Sequence, residues 1–323
     1  MKPTCMDDGK ERVSCRSFYP AFLLFTCMLA LSAAAEADLQ DGLAAYRNGL
    51  YASALKEFRL LSADGNAEAQ FQLGLMYDSG VGVEQDDQMA AMWYRKAADR
   101  GHAQAQSNLG LMYGRGRGVE QDFDEAMSWY RKAAAQNDAD GLYNVGWMYD
   151  NGMGVKQDHQ EALAWFRKAG EQGLAKAQFN VGWMYSNGQG IERDYGEAMS
   201  WYRKAAEQGY TKAQSNLGWM VEKGLGVAPD NQLAAEWYRK AAEQGYALAQ
   251  FNLGLLYARN RGMPVDLEQA YTWFYLAAAG QHEAAQIYME EFEKVMSGEQ
   301  LDSARAQIRG LLVKMGGIRN NPH

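Results

Sequence analysis

Glycine, tryptophan and alanine recur at one fixed interval along most of this chain, and that interval leaves few folds open. Gly74, Gly110, Gly146, Gly182, Gly218 and Gly254 are spaced 36 residues apart. Trp93, Trp129, Trp165, Trp201, Trp237 and Trp273 keep the same interval, as do Ala90, Ala126, Ala162, Ala198, Ala234 and Ala270. A strict period of this length marks a stacked array of supersecondary units, none of which buries its apolar face alone. Six units follow one another without insertion: 67–102, 103–138, 139–174, 175–210, 211–246 and 247–282.

Each unit reads as two helices. In Ala175 to Tyr185, Ala177, Val181, Gly182 and Tyr185 fall at helical spacing. The glycine costs about 1 kcal/mol against alanine inside a helix. Accepting that cost in every unit implies close backbone approach by a neighbouring helix. In Asp194 to Gln208, Ala198, Trp201, Tyr202, Ala205 and Ala206 share a face. Asp86, Asp122, Asp158, Asp194, Asp230 and Asp266 mark the second-helix starts, and Glu125, Glu161 and Glu197 three residues on predict capping boxes. The first helices end at Gly80, Gly116, Gly152, Gly188, Gly224 and Asn260, residues that tolerate left-handed backbone.

Flanking segments read as caps. Gly42, Tyr46, Gly49, Tyr51, Ala54 and Phe58 predict one helix pair over 38–66 with a turn four residues shorter. After the array, Ala285 and Met289 continue the first-helix pattern, whereas Glu290 and Glu293 replace the packing glycine and the tyrosine. A last helix with Leu301, Ala304, Ile308, Leu311 and Met315 on one stripe is expected to end at Gly316-Gly317, leaving 316–323 as a loose tail.

Residues 1–37 read as an export signal: Lys10, Arg12 and Arg16 precede an apolar run from Phe18 to Ala35, with small residues at its end. The expected location is periplasmic or secreted; an uncleaved anchor is the alternative, and the only route to membrane association. Cys5, Cys15 and Cys27 all lie in this segment, so the rest of the chain offers no disulfide, thiol nucleophile or thiolate metal site.

The text Ala-x-Ala-x-x-x-Leu-Gly-x-x-Tyr, Gly-x-Gly-Val, Asp and Ala-x-x-Trp-Tyr-x-Lys-Ala-Ala resembles the Sel-one-like repeat (SLR) family of the tetratricopeptide superfamily. Residues 67–282 match almost column by column, while 39–66 are similar to a plain tetratricopeptide pair. The resemblance implies an all-α, right-handed α-solenoid whose first helices line a concave surface. It also implies adaptor or scaffold work, often in exported bacterial proteins, and no catalytic residues. Asn137 and Gln281 depart from it in place of the glycine after the second helix, and Gly141 in place of a small alanine.

Little else points to chemistry. The net charge of −8 argues against nucleic acid, whose phosphates require a positive face. The Gly-x-Gly turns lack the Gly-Lys-Ser/Thr sequence of a phosphate loop. His102, His159, His282 and His323 have no ligand-spaced companions, so neither metal nor cofactor is expected. Asp140 with Asp150 is the one carboxylate pair that suggests glycosidase chemistry.

The informative positions vary while the frame stays fixed. On the first helices they form a stripe at i, i+3, i+7 and i+10, the groove-lining stripe of tetratricopeptide relatives. Three consecutive units place Trp147, Trp183 and Trp219 where the others hold Leu75, Leu111 and Leu255, beside Tyr143 and Phe179. These aromatics are either interface anchors or fillers between neighbouring first helices. The charges on the stripe divide into an acidic first half (Glu68, Asp78, Asp140 and Asp150 against Arg115) and a basic second half (Lys176, Lys212, Lys223 and Arg259 against Glu222). The expected site is therefore Tyr143, Trp147, Phe179, Trp183 and Trp219 with Asp140, Lys176 and Lys212, taking a protein or extended peptide. A cell-wall glycan-binding or hydrolytic factor, acting on peptidoglycan or exopolysaccharide, is the alternative.

Overall fold

The computed structural model describes residues 38–259 and 264–319. The proposed export segment with its three cysteines, the turn at Asn260 and the last four residues lie outside the described residues. Among the described residues every regular element is a helix. Two compact units divide at Gln121 and Asp122.

The first unit contains α1 (38–47), α2 (Tyr51–Ala63), α3 (Ala67–Ser79), α4 (Asp87–Asp99) and α5 (Ala103–Arg115). Its core joins Leu39, Ala54, Phe58 and Leu61 to Ala69, Leu73 and Met76. The second unit contains α6 (Phe123–Ala135), α7 (Ala139–Asn151), α8 (His159–Glu171), α9 (Ala175–Asn187), α10 (Tyr195–Glu207), α11 (Thr211–Lys223), α12 (Asn231–Glu243), α13 (Ala247–Ala258), α14 (Leu267–Ala279), α15 (Glu283–Val295) and α16 (Gly298–Arg319). In the first unit α2 to α5 pack each on the next; in the second α6 to α15 do the same, and α16 packs on α14. This is the stacked-pair arrangement of an α-solenoid.

The repeated glycines explain the tight pairing. A Cβ on Gly182 would lie 2.8 Å from the Tyr202 ring and 3.1 Å from the Ala198 carbonyl oxygen. Gly146 meets Phe166, Gly218 meets Tyr238 and Gly254 meets Phe274 in the same way. The aromatic ring of the second helix packs close on a first-helix backbone that has no side chain to hold it off.

Second-helix starts are capped by aspartate, as the sequence predicts: the side chains of Asp86, Asp122, Asp158 and Asp230 each accept two backbone N–H bonds of the first turn. The expected capping boxes do not close. The backbone N–H of Asp158 already donates to the Tyr149 carbonyl, and that of Asp194 to Tyr185, tying each second helix to the end of its own first helix. Glu125 is left to accept from the Trp129 indole at 3.1 Å.

A second tie links successive units. Gln178, Gln214 and Gln250 donate through Nε2 to the carbonyls of Gly170, Ala206 and Ala242, at the end of the preceding second helix. Their own oxygens accept from Gln208 in the first case and Gln244 in the second, both at 2.8 Å. Asn137 and Gln281 adopt the left-handed backbone of the glycine column they interrupt, with φ of 63° and 67°.

The C-terminal cap departs from expectation. Glu293 is not idle bulk, because it accepts from the Tyr271 hydroxyl at 2.6 Å. Gly316-Gly317 does not stop the last helix, which continues to Arg319. A Cβ at Gly316 would meet open space, so this glycine is not serving a close approach, and two glycines near a helix end cost too little to break it.

Candidate functional site: an aromatic stripe on the first helices

In the second unit the first helices α7, α9, α11 and α13 are buried along two sides. In α7, Leu142, Val145 and Met148 are all but inaccessible, and Gly146 is pressed against Phe166. A narrow stripe through Asp140, Tyr143, Trp147 and Asp150 is what remains. Trp147, Trp183 and Trp219 occupy one register of it and are 38%, 40% and 43% exposed. Roughly two-fifths of each residue's surface is open to solvent. In the other units leucine sits there, half-buried.

Tyr143 and Phe179 form a half-buried second layer. Phe179 lies between Tyr202 and Tyr210, with ring centroids 5.6 and 5.3 Å away. Tyr143 packs on Phe166 at 5.4 Å, and the Lys176 ammonium sits 4.4 Å from its ring centre. Burial pushes the Tyr143 and Tyr202 hydroxyls above the ordinary tyrosine range. They remain neutral hydrogen-bonding groups at physiological pH.

The expected division of charge along the stripe resolves into local pairs. Asp140 is bound to Lys176 at 2.6 Å, one unit along. Asp150 contacts His159 at 2.8 Å, and Glu222 pairs with Lys223 while accepting from the Tyr238 hydroxyl. In the first unit, Glu68 meets His102 at 2.9 Å. Asp78 is held by Arg117, a turn residue that the stripe does not count. Lys212 is exposed and has no ion pair among the described residues. Asp140 and Asp150, the one glycosidase-like pair, are each tied to a basic side chain.

Sequence reasoning passed over a column beside the tryptophans. Asn144, Asn180, Asn216 and Asn252 are half-buried on the same helices. Asn216 bonds the Tyr202 hydroxyl, Asn252 that of Tyr238, and Asn180 that of Tyr143. An amide offers two donors and an acceptor, so one such bond leaves capacity for a ligand. The column was disguised by its constancy, which reads as framework; its place four residues after the start of the stripe is the signal that puts it on the same face. Trp219 and Asn252, with Glu222, Lys223, Leu255 and Arg259, also border a recess of about 350 Å³ between α11 and α13.

Among the described residues no three His, Cys, Asp or Glu side chains converge as metal ligands, and no helix is long and apolar enough to cross a membrane.

The Sel1 repeat family model matches 67–102, 103–138, 139–174, 175–210, 211–246 and 247–282, the six units of this period. The chain belongs to the Sel1 repeat family. Among solved structures it is similar to a Sel1 repeat protein from Oxalobacter formigenes, at 39% identity and a TM-score of 0.70, over 75% of this chain and 99% of that one. It is also similar to c5321, a protective antigen of uropathogenic Escherichia coli strains with an SLR fold, at 34% identity and a TM-score of 0.56, over 89% of this chain and 71% of that one. No curated protein matches the sequence. Sel1 repeat proteins are generally protein-interaction scaffolds, typically non-catalytic.

Proposed function

We propose that this Sel1 repeat protein is an exported, non-catalytic scaffold that binds an extended peptide segment of a partner protein along α7, α9 and α11. One observation carries the reading: three consecutive units expose an indole at a position where the same frame elsewhere holds a half-buried leucine. An exposed tryptophan is costly surface until a partner covers it, and covering it yields about 1.5–3 kcal/mol. Three in register give rigid anchor points for side chains of one extended strand. The asparagine column beside them offers amides to the strand's backbone, and Lys212 favours an acidic segment.

A peptide-display library panned on the purified protein tests this. Enriched peptides should carry apolar anchors, and a variant combining Trp147→Ala, Trp183→Ala and Trp219→Ala should fail to retain them. Retention by the triple variant contradicts the reading. Export rests on the basic, apolar and small-residue succession of residues 1–37. The protein recovered from outside the cytoplasm should begin near Glu36 or Asp38 by N-terminal sequencing; a full-length product extracted from membranes contradicts cleavage.

A further inference from the structure

The first unit contains a recess of about 780 Å³ between α2, α3 and α4, bordered by Arg59, Gln70, Trp93, Lys96, Asp99 and Arg100. Two buried polar atoms at its wall have no hydrogen-bond partner: the indole Nε1 of Trp93 and the side-chain oxygen of Gln70, a residue only 3% exposed. Buried polar groups are rarely left unpaired, because burial strips them of their bonds to water and nothing replaces these.

The repeat shows what is missing. Four residues before the tryptophan, four of the five later units carry Glu125, Glu161, Glu197 and Gln269, the fifth being Leu233, and the indoles of Trp129 and Trp273 donate to Glu125 and Gln269. In the first unit this position is Met89, which offers no oxygen. The glutamine oxygen tells the same story. Gln178 and Gln214 accept from Gln208 and Gln244, but the residue in that column here is Arg100. Both substitutions shift the recess towards positive charge: an acidic position becomes neutral and a neutral one becomes cationic. Arg59, Lys96 and Arg100 then outnumber Asp99 at the rim, and the Lys96 ammonium sits 4.1 Å from the centre of the Trp93 ring.

We propose that this recess is a carboxylate-binding site: a ligand carboxylate takes the place of the absent glutamate, accepting from Trp93 Nε1 among the three basic side chains. The unpaired Gln70 oxygen adds a requirement for an N–H donor close by, which matches a peptide carrying an acidic side chain or a free C-terminus. The site is independent of the tryptophan stripe and uses none of its residues.

The test follows the Trp93 indole resonance of the isotope-labelled full-length protein, assigned with Trp93→Phe. The probes are acetyl-Ala-Ala with a free carboxylate, the same dipeptide as its C-terminal amide, and acetate. The free-acid peptide should shift the Trp93 signal with saturation, and the amide should bind at least about tenfold more weakly, since the charge-assisted bonds are lost. Tighter binding by the peptide than by acetate assigns the site to peptides; equal binding supports the site and assigns it to small carboxylates. Met89→Glu supplies the internal carboxylate that three of the later units carry and should abolish binding while melting no earlier than wild type. Arg100→Gln, which installs the residue of the later units, should weaken binding and serves if the first variant folds poorly. No shift with any probe, equal binding of acid and amide, or undiminished binding in a folded Met89→Glu variant overturns the proposal.

Discussion

The second-helix tyrosines show how one side chain can be framework and sensor at once. Tyr94, Tyr202 and Tyr238 are buried against the repeated glycines, and burial raises all three hydroxyls above the ordinary range. Tyr271 is raised to about 12 by the same desolvation and by the hydrogen bond to Glu293. A group whose native pKa is raised keeps its proton where the unfolded chain, near pH 10, has released it. Its contribution is therefore complete below about pH 10 and declines as pH rises through the native value. Stability should fall steeply in alkali, and Tyr202→Phe should flatten that fall while costing about 1–2 kcal/mol at neutral pH, since the hydroxyl's bonds to Ser186 (3.3 Å) and Asn216 are lost. Phe166 and Phe274 already fill that column. Denaturant melts across the alkaline range check this; an unchanged slope in the variant contradicts the assignment.

At the scale of elements, helix order was open to reading because its causes are local. A glycine that leaves no room for a Cβ, an aspartate cap and a left-handed terminator all announce themselves in sequence. What remained hidden was where secondary donors and acceptors go. Asp158 has a cap role that sequence identifies, but its own N–H is claimed by Tyr149, so Glu161 has no box to close. The glutamine tie between successive units was invisible for the same reason: a recurring glutamine within an alanine-rich helix carries no mark of its partner. Gln214 bonds the Ala206 carbonyl at 3.0 Å and accepts from Gln244. Gln214→Ala removes both bonds and should cost about 1–3 kcal/mol, about 0.5–1.5 for each. Leu142 stands in the same column, so Gln214→Leu should recover part of that loss through packing. Urea melts of the two variants decide it, and equal stability of Gln214→Ala and wild type would mean that the tie contributes nothing.

For the molecule as a whole, six nearly identical units make departures from the repeat the most informative residues. Exposure of the tryptophan stripe could not be read from periodicity, because helical spacing places Trp183 and Trp201 equally well on an apolar face. Packing separates them: Trp183 is 40% exposed, whereas Trp201 is 5% exposed, lies against Gly170 and carries the Lys204 ammonium over its ring at 4.1 Å. The pairing of charges along the stripe was hidden for a related reason. Asp140 and Lys176, which belong to the acidic and the basic half, are one period apart in sequence and therefore adjacent in space, at 2.6 Å. The central claim, that the stripe is a binding face and not core, is tested most directly by comparing Trp183→Ala with Trp201→Ala in thermal melts and in affinity for a display-selected peptide. Trp201→Ala should lose about 3–5 kcal/mol of stability, as for a buried aromatic. Trp183→Ala should melt close to wild type while binding weakens by about 2 kcal/mol, the loss expected of an interface anchor. A Trp183→Ala protein that melts as early as Trp201→Ala, or that holds the peptide as tightly as wild type, contradicts the account.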